Sequence, residues 1–561
     1  MLSIFLTSYI SSLYLFSAGL IFFIKKKKFE ELHLIVIYGS FVLSFIALFI
    51  NFFLPLDLKV NTVIFCFFVF FGIVISYKKK ILFKLLVISI YISLISTLIL
   101  SFDNVYRPDA SMYHLPYTKI INDSKIIFGV SNLHFRYGHI SILQYLNANF
   151  YNYIFGIYGI LMPASIIFSS IILYFVNQIK KYCEKDLNYT LLIFLILTYI
   201  LYGYNRYSEF GNDTIGHLLF LLICSFLVKN NFLKNINYNH FNNILILSLF
   251  CFTLKTSLIL ILLVPTYIFL FSLKKQYIFN YSNIFVIGFI VLWFVKNIIV
   301  SGCLIYPIEI TCFEQLKWLS NDLNFNISPK FQSLDNQAWS KGWSNYQGDA
   351  ISREEYVKNF FWFRTWFSVH GLLIVKKLSI FIFVIITMFY FYRKVEVSKY
   401  IEKNKISNEL IFLFLFSIFG VMVWFLRFPL FRYGSSYIIL FIIIISTITF
   451  IKLNLQNKNK NKFKKYIHLS LIVFFFLFVS KHGIRIYKNY NNSIWPQFNS
   501  EKYLHPDFKT ETILINGEIA YYLNKDGFGC GYTNSPCTPY EVKNINLVYL
   551  KGYKFYNLIK N

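Results

Sequence analysis

The chain has 561 residues, of which 57% are hydrophobic, 21% aromatic and only 14% charged, with a formal net charge of +28. Its apolar residues fall in blocks long enough to cross a hydrocarbon core of about 30 Å, which excludes an ordinary soluble protein. The positive charge does not make nucleic acid an expected partner, because lysines gather at the ends of apolar blocks, as at 25–28, 78–80 and 458–465, where they act as topology signals.

Apolar blocks read against their basic flanks predict an all-α polytopic membrane protein with about 14 transmembrane helices. No basic residue precedes the first apolar run and a basic cluster follows it, unlike a cleavable signal peptide. The N-terminal helices occupy 1–101, with spans over 3–24, 33–54, 60–77 and 81–101; basic joints after the first and third put the N-terminus outside. A core over 102–300 opens with a polar outer loop, 102–138. Spans near 154–178, 189–204 and 214–228 follow, the last two enclosing a short outer loop. The block 244–273 is long for one helix and carries Lys255 near its middle, so it reads as two short segments meeting near the outer face, with a single tilted helix as the alternative.

A span over 282–300 leads to an outer insertion, 301–376, rich in Trp, Asn, Ser and Gln. C-terminal transmembrane helices over 377–480 and an extracytoplasmic region over 481–561 complete the chain. Extended apolar patches alternating with turn residues make that last region a small mixed α/β cap. In it Cys530 and Cys537 are expected to form a local disulfide in an oxidising exterior, and Cys303 with Cys312 is a second candidate. Cys66, Cys224 and Cys251 lie in apolar blocks, where a thiol packs as a small hydrophobe.

Polar chemistry gathers on the outer side. The first outer loop holds Asp103, Asp109, His114, His134 and Arg136 in a chain poor in charge. A carboxylate held there near basic groups can serve as a general base, or hold a divalent cation, toward a phosphate-bearing substrate. Glu209 and Asp213 stand at the second outer loop. Lys255 and Lys296 sit within apolar blocks, where a cation is costly unless it snorkels, pairs or faces an anion. Arg427 and Arg432 flank a very short outer turn, against the positive-inside tendency, and a guanidinium fork suits phosphate.

The stretches 109–116 (DASMYHLP), 132–138 (NLHFRYG), 301–307 (SGCLIYP) and 424–433 (WFLRFPLFRY) resemble motifs of a little-characterised bacterial branch of the GT-C superfamily, polytopic glycosyltransferases that use polyprenyl-phosphate-linked sugars. The resemblance implies a GT-C-like frame in a bacterial cytoplasmic membrane, with a lipid-linked sugar and membrane lipids as partners. It assigns the general base to Asp109, with Asp103 in reserve, and the lipid phosphate to Arg432, Arg427 and Lys255. His114 and Arg136 join the substrate site, and Glu209 or Asp213 supplies a second acid or a cation ligand. The chain departs from the family in having four spans, not one, before this loop. An O-antigen polymerase or ligase is the competing reading and would rest on Arg364 in the insertion. A lipid-glycan flippase or transporter would be expected to show internal repeats, and none stands out.

Overall fold

The computed structural model describes residues 1–22, 31–103, 108–203, 210–229, 238–272, 281–319, 327–393, 406–452, 460–496, 510–525, 529–542 and 544–559. Four helices come first: α1 (Leu2–Phe22), α2 (Ile35–Asn51), α3 (Leu58–Lys78) and α4 (Leu82–Leu100). Short α5 (Leu115–Asp123) and α6 (Ile142–Asn149) follow. The next group is α7 (Met162–Tyr182), α8 (Leu187–Gly203), α9 (Asp213–Val228), α10 (Tyr238–Leu254), α11 (Leu263–Ser272) and α12 (Tyr281–Ser301). The insertion contributes α13 (Pro329–Ser340), α14 (Arg353–Lys358) and α15 (Trp362–Trp366). Then come α16 (Leu372–Arg393), α17 (Asn408–Arg427), α18 (Phe431–Lys452) and α19 (Lys460–Lys488). Among the described residues, nine helices are long and apolar enough to cross a membrane and five shorter apolar helices accompany them.

The long helices sort into a core and a rim. The most apolar stretch of α7 is 89% buried, whereas that of α19 is 17% buried, so α7 is walled by protein and α19 presents its side chains outward. Where polar residues lie inside, their hydrogen bonds stay local or join neighbouring helices, as buried polar groups must. Ser40 and Ser44 donate to the carbonyls four residues back, and Ser96 meets Ser169 across the α4–α7 contact at 3.1 Å. Asn61 donates to the carbonyls of Leu56, Ala148 and Tyr151, which fixes the start of α3 against α6.

The joints separate into two ends. At one, Asn51 donates to the Ser124 carbonyl (2.9 Å), Trp318 Nε1 to that of Ile298 (3.0 Å) and Tyr553 OH to that of Phe52 (2.9 Å). At the other, Lys229 meets Glu31 at 3.4 Å and Lys464 pairs with Glu184. The 244–273 block is two helical segments: α10 stops at Leu254, Lys255 is extended, and a 3-10 stretch over Thr256–Leu262 leads into α11.

α19 runs eight residues past the expected boundary of 480, to Lys488, and the described residues beyond it form strands and turns without a helix. β1 (Thr510–Ile515), β2 (Glu518–Asn524) and β3 (Cys537–Thr538) form one sheet, with β1 antiparallel to β2 and β2 parallel to β3. β4 (Ile545–Leu550) and β5 (Tyr553–Leu558) form an antiparallel hairpin. Both hairpin turns place two residues at positive φ, Asn516-Gly517 and Lys551-Gly552, the backbone that two-residue turns require.

Close packing of α1 on α2 depends on Gly19 and Gly39, where the two backbones touch. A Cβ added at Gly39 would lie 1.8 Å from the Leu15 carbonyl oxygen. A backbone oxygen inside a helix cannot swing aside, so Gly39→Ala is expected to cost about 1–3 kcal/mol or more. Gly483→Ala in α19, where a Cβ would meet nothing within 4 Å, is expected to raise stability by about 0.5–1 kcal/mol, because alanine loses less backbone entropy in a helix. Thermal unfolding of the two purified variants in detergent checks this; equal midpoints would contradict the close approach.

Candidate functional site

The first loop re-enters helical structure at Pro108 and Asp109, and a π-turn over Ala110–His114 interrupts the helix before α5. Pro116 explains the π-turn: it has no N–H for the Met112 carbonyl, and its ring would clash with that oxygen in a regular helix. The turn widens accordingly, and Leu115 N–H bonds Ala110, five residues back. This brings Asp109 and His114 to the same side, within each other's electrostatic reach.

Asp109 meets the start of α18. Arg432 Nη1 donates to Asp109 Oδ2 at 2.8 Å, a charge-assisted bond between residues 323 apart in sequence. Burial alone would raise the Asp109 pKa, but the Arg432 guanidinium, with His114 and Arg136, outweighs it and holds the carboxyl below the usual carboxylate range. The turn before Arg432 is pinned by two indoles: Trp424 Nε1 donates to the Leu430 carbonyl (2.7 Å) and Trp366 Nε1 to that of Pro429 (2.6 Å).

A second ion pair abuts the first. Asp213, the first residue of α9, pairs with Lys255 in the α10–α11 break, and Lys255 Nζ also donates to the Arg432 carbonyl at 2.8 Å. The same carbonyl takes His217 Nε2 at 2.7 Å, and His217 Nδ1 contacts Ser436 Oγ. Gly216 makes room for this: a Cβ there would stand 3.0 Å from Lys255 Cβ. Arg432 is thus held at both ends, its guanidinium by Asp109 and its carbonyl by Lys255 and His217. Its remaining faces meet Tyr433 OH (3.3 Å) and the Trp339 ring (5.5 Å to the centroid).

The predicted site residues divide. Asp109, Asp213, Lys255 and Arg432 come together, with His114 and Arg136 in electrostatic reach of Asp109; the Arg136 guanidinium lies against Phe135 (4.8 Å) and Tyr113 (5.9 Å). Asp103 does not join them: it is buried beside Arg485 at 3.9 Å, where that guanidinium also caps the carbonyls of Leu98, Ile99 and Ser101. Arg364 and Arg427 are exposed and take no part in the Asp109 contacts described. Glu209 lies outside the described residues. Sequence reasoning missed His217, Tyr433 and Trp339; His217 follows Asp213 by four residues, one helical turn, which was the available signal. Asp109 and Asp213 are each paired with a cationic side chain, and no three His, Cys, Asp or Glu gather as metal ligands among the described residues. The structure joins Cys530 to Cys537 and Cys303 to Cys312.

Three histidines around this loop are held neutral. Burial pushes the pKa of His114 down to about 4 and those of His134 and His139 to about 3. Gln144 Nε2, which can only donate, lies 2.8 Å from His114 Nδ1, and Arg136 N–H donates to His134 Nδ1 at 3.0 Å, so both rings accept there. A depressed pKa means that the unfolded chain takes up the proton first. The stability these rings contribute is therefore complete above about pH 6.5 and drains as pH falls toward 4 and then 3, on the order of 1 kcal/mol per pH unit for each ring. Unfolding midpoints between pH 7 and 4 are expected to drop, and to drop less steeply in His134→Gln; a flat profile would contradict the assignment of neutral rings.

No curated protein and no solved structure matches the chain. The family described as a domain of unknown function (DUF8201) matches residues 1–439, which include Asp109, Asp213, Lys255 and Arg432, and the chain belongs to that family.

Proposed function

We propose that this protein is a membrane glycosyltransferase that moves a sugar from a polyprenyl-(di)phosphate donor to a hydroxyl of a glycan, lipid or protein acceptor on the outer face of a bacterial cytoplasmic membrane. In this reading the nine long and five shorter apolar helices are fourteen crossings of a GT-C-like frame, with both chain ends outside. The observation that carries it is the Asp109–Arg432 pair at the same end of the bundle as the Asp213–Lys255 pair. One guanidinium touches the carboxylate and retains a buried Nε–H with no partner among the described residues.

The chemistry follows from that shared guanidinium. The acceptor oxygen attacks the anomeric carbon, the bond from that carbon to the phosphate oxygen breaks, and the electron pair leaves with the phosphate. Asp109 takes the acceptor proton. Arg432 holds the departing phosphate through charge-assisted hydrogen bonds. Phosphate binding draws the guanidinium charge away from Asp109, which raises the proton affinity of that carboxylate when donor is present. Lys255 and His217 act through the Arg432 carbonyl and keep the first turn of α18 in place.

Transfer of radiolabelled sugar from a polyprenyl-phosphate donor, in membranes carrying wild type, Asp109→Asn or Arg364→Ala, tests this reading. Asp109→Asn is expected to lower transfer by about 10²–10⁴-fold while insertion into the membrane is retained, because the amide keeps the shape and removes the base. Full activity in Asp109→Asn together with loss in Arg364→Ala would move the assignment to a polymerase or ligase. The crossing number has its own check: single cysteines at Lys80 and Asn345 are expected to label from opposite sides, and labelling of both from one side would break the fourteen-crossing topology.

A further inference from the structure

The loop between β2 and β3 lies directly on the segment that carries Asp109, and its contact answers a need created by the sequence of that segment. In a regular helix the Ser111 carbonyl would accept from Leu115 N–H, but that donor goes to Ala110 across the π-turn. The next candidate donor, residue 116, is proline and has no N–H. The donors come instead from the C-terminal region: the N–H groups of Cys530 and Gly531 both reach the Ser111 oxygen, each at 2.9 Å. The approach is close enough to require glycine beside it. Gly529 has φ +114°, and a Cβ there would stand 2.8 Å from Ser111 Oγ and 2.9 Å from the Ser111 carbonyl oxygen.

The same loop grips the far end of α5. Tyr532 OH donates to Asn122 Oδ1 at 3.0 Å, and Ser535 Oγ donates to Asp123 Oδ2 at 2.7 Å. Its closing residue holds the second motif of the outer loop, because Tyr137 OH donates to the Cys537 carbonyl at 2.5 Å. The disulfide between Cys530 and Cys537 closes the loop that makes all these contacts.

We propose that the disulfide-closed loop 530–537 is the positioning element of the site: by holding Ser111 at one end and Asn122 and Asp123 at the other, it sets the Asp109 carboxylate against Arg432. The function assigned to it rests on the glycosyltransferase reading, whereas the grip itself does not. None of its residues touches the reacting groups. Its effect passes through the helical segment 108–123, whose π-turn would otherwise have a carbonyl turned away from every intrahelical donor. Rigid support of this kind matters because a base displaced by about 1 Å can lose about 10²-fold in rate.

The test uses the full chain in nanodiscs, comparing wild type with Cys530→Ala/Cys537→Ala and with Tyr532→Phe/Ser535→Ala, which leaves the disulfide in place. Amide exchange in residues 110–123 is expected to rise about tenfold or more in both variants, with α1 and α2 unchanged. With a polyprenyl-phosphate sugar, kcat is expected to fall about tenfold while KM for the donor stays within about twofold. The acid limb of the pH–rate profile is expected to move up toward the ordinary carboxylate range as Asp109 loses its guanidinium. Unchanged exchange over 110–123 overturns the proposal, as does a fall in kcat with an unmoved acid limb. Should the cysteine variant not fold, the Tyr532/Ser535 variant decides alone. Raised exchange in a protein whose wild type transfers no sugar upholds the grip and removes the glycosyltransferase reading.

Discussion

A cation at the edge of a membrane bundle must be matched, and at Arg432 that requirement ties together parts of the chain that are otherwise unrelated. Its guanidinium is bound to Asp109 from the first loop, and its carbonyl to Lys255 from the α10–α11 break and His217 from α9. Asp109 and Arg432 keep part of their side chains exposed, so solvent screens that pair, whereas the Lys255 ammonium is enclosed and would be costly without Asp213 and the Arg432 carbonyl. The first turn of α18, the start of α9, the interruption after α10 and the π-turn before α5 are therefore fixed relative to one another by two ion pairs and one carbonyl.

The rest of the bundle is built so that this end can be polar without disturbing the apolar middle. Serines such as Ser40 and Ser44 bond back to their own turn, and asparagines such as Asn61 and Asn122 sit at joints where several carbonyls converge. Lys296 shows the same economy: fully buried, it donates to the Ile140 carbonyl at 3.1 Å and lies 3.6 Å from the centre of the Trp293 ring. A tryptophan face and a carbonyl dipole can stabilise an amine at a place where a carboxylate would bring a second desolvation cost.

Three interruptions of regular structure coincide with the polar end: the π-turn at 110–114, the extended Lys255 and the indole-pinned turn at 428–430. Each turns a backbone or side-chain group away from its own helix and toward a partner from elsewhere. Pro116 is the clearest case, since one missing N–H leads to the π-turn, and the π-turn presents Ser111 to the C-terminal loop. Departures from regular helix in membrane proteins are tolerated where protein, not lipid, satisfies the exposed groups.

Hydropathy and the placement of lysines were enough to expect a polytopic helical protein, the two-part character of 244–273 and the gathering of polar motifs at one end. These properties are local and additive along the chain, so they can be read without knowing what packs against what. The resemblance read from the sequence likewise drew attention to Asp109 and Arg432, but equally to Asp103 and Arg427. Their pairing across 323 positions, the diversion of Asp103 to Arg485, the recruitment of His217 and the seating of the C-terminal loop on Ser111 came only with the tertiary structure. Asp103 and Asp109 are chemically alike and six residues apart, and only the position of α19 and α18 around them decides which guanidinium each one meets. The same limit holds for the C-terminal region, whose apolar patches suggested extended segments but not which strands pair, since that is settled by the surface they cover.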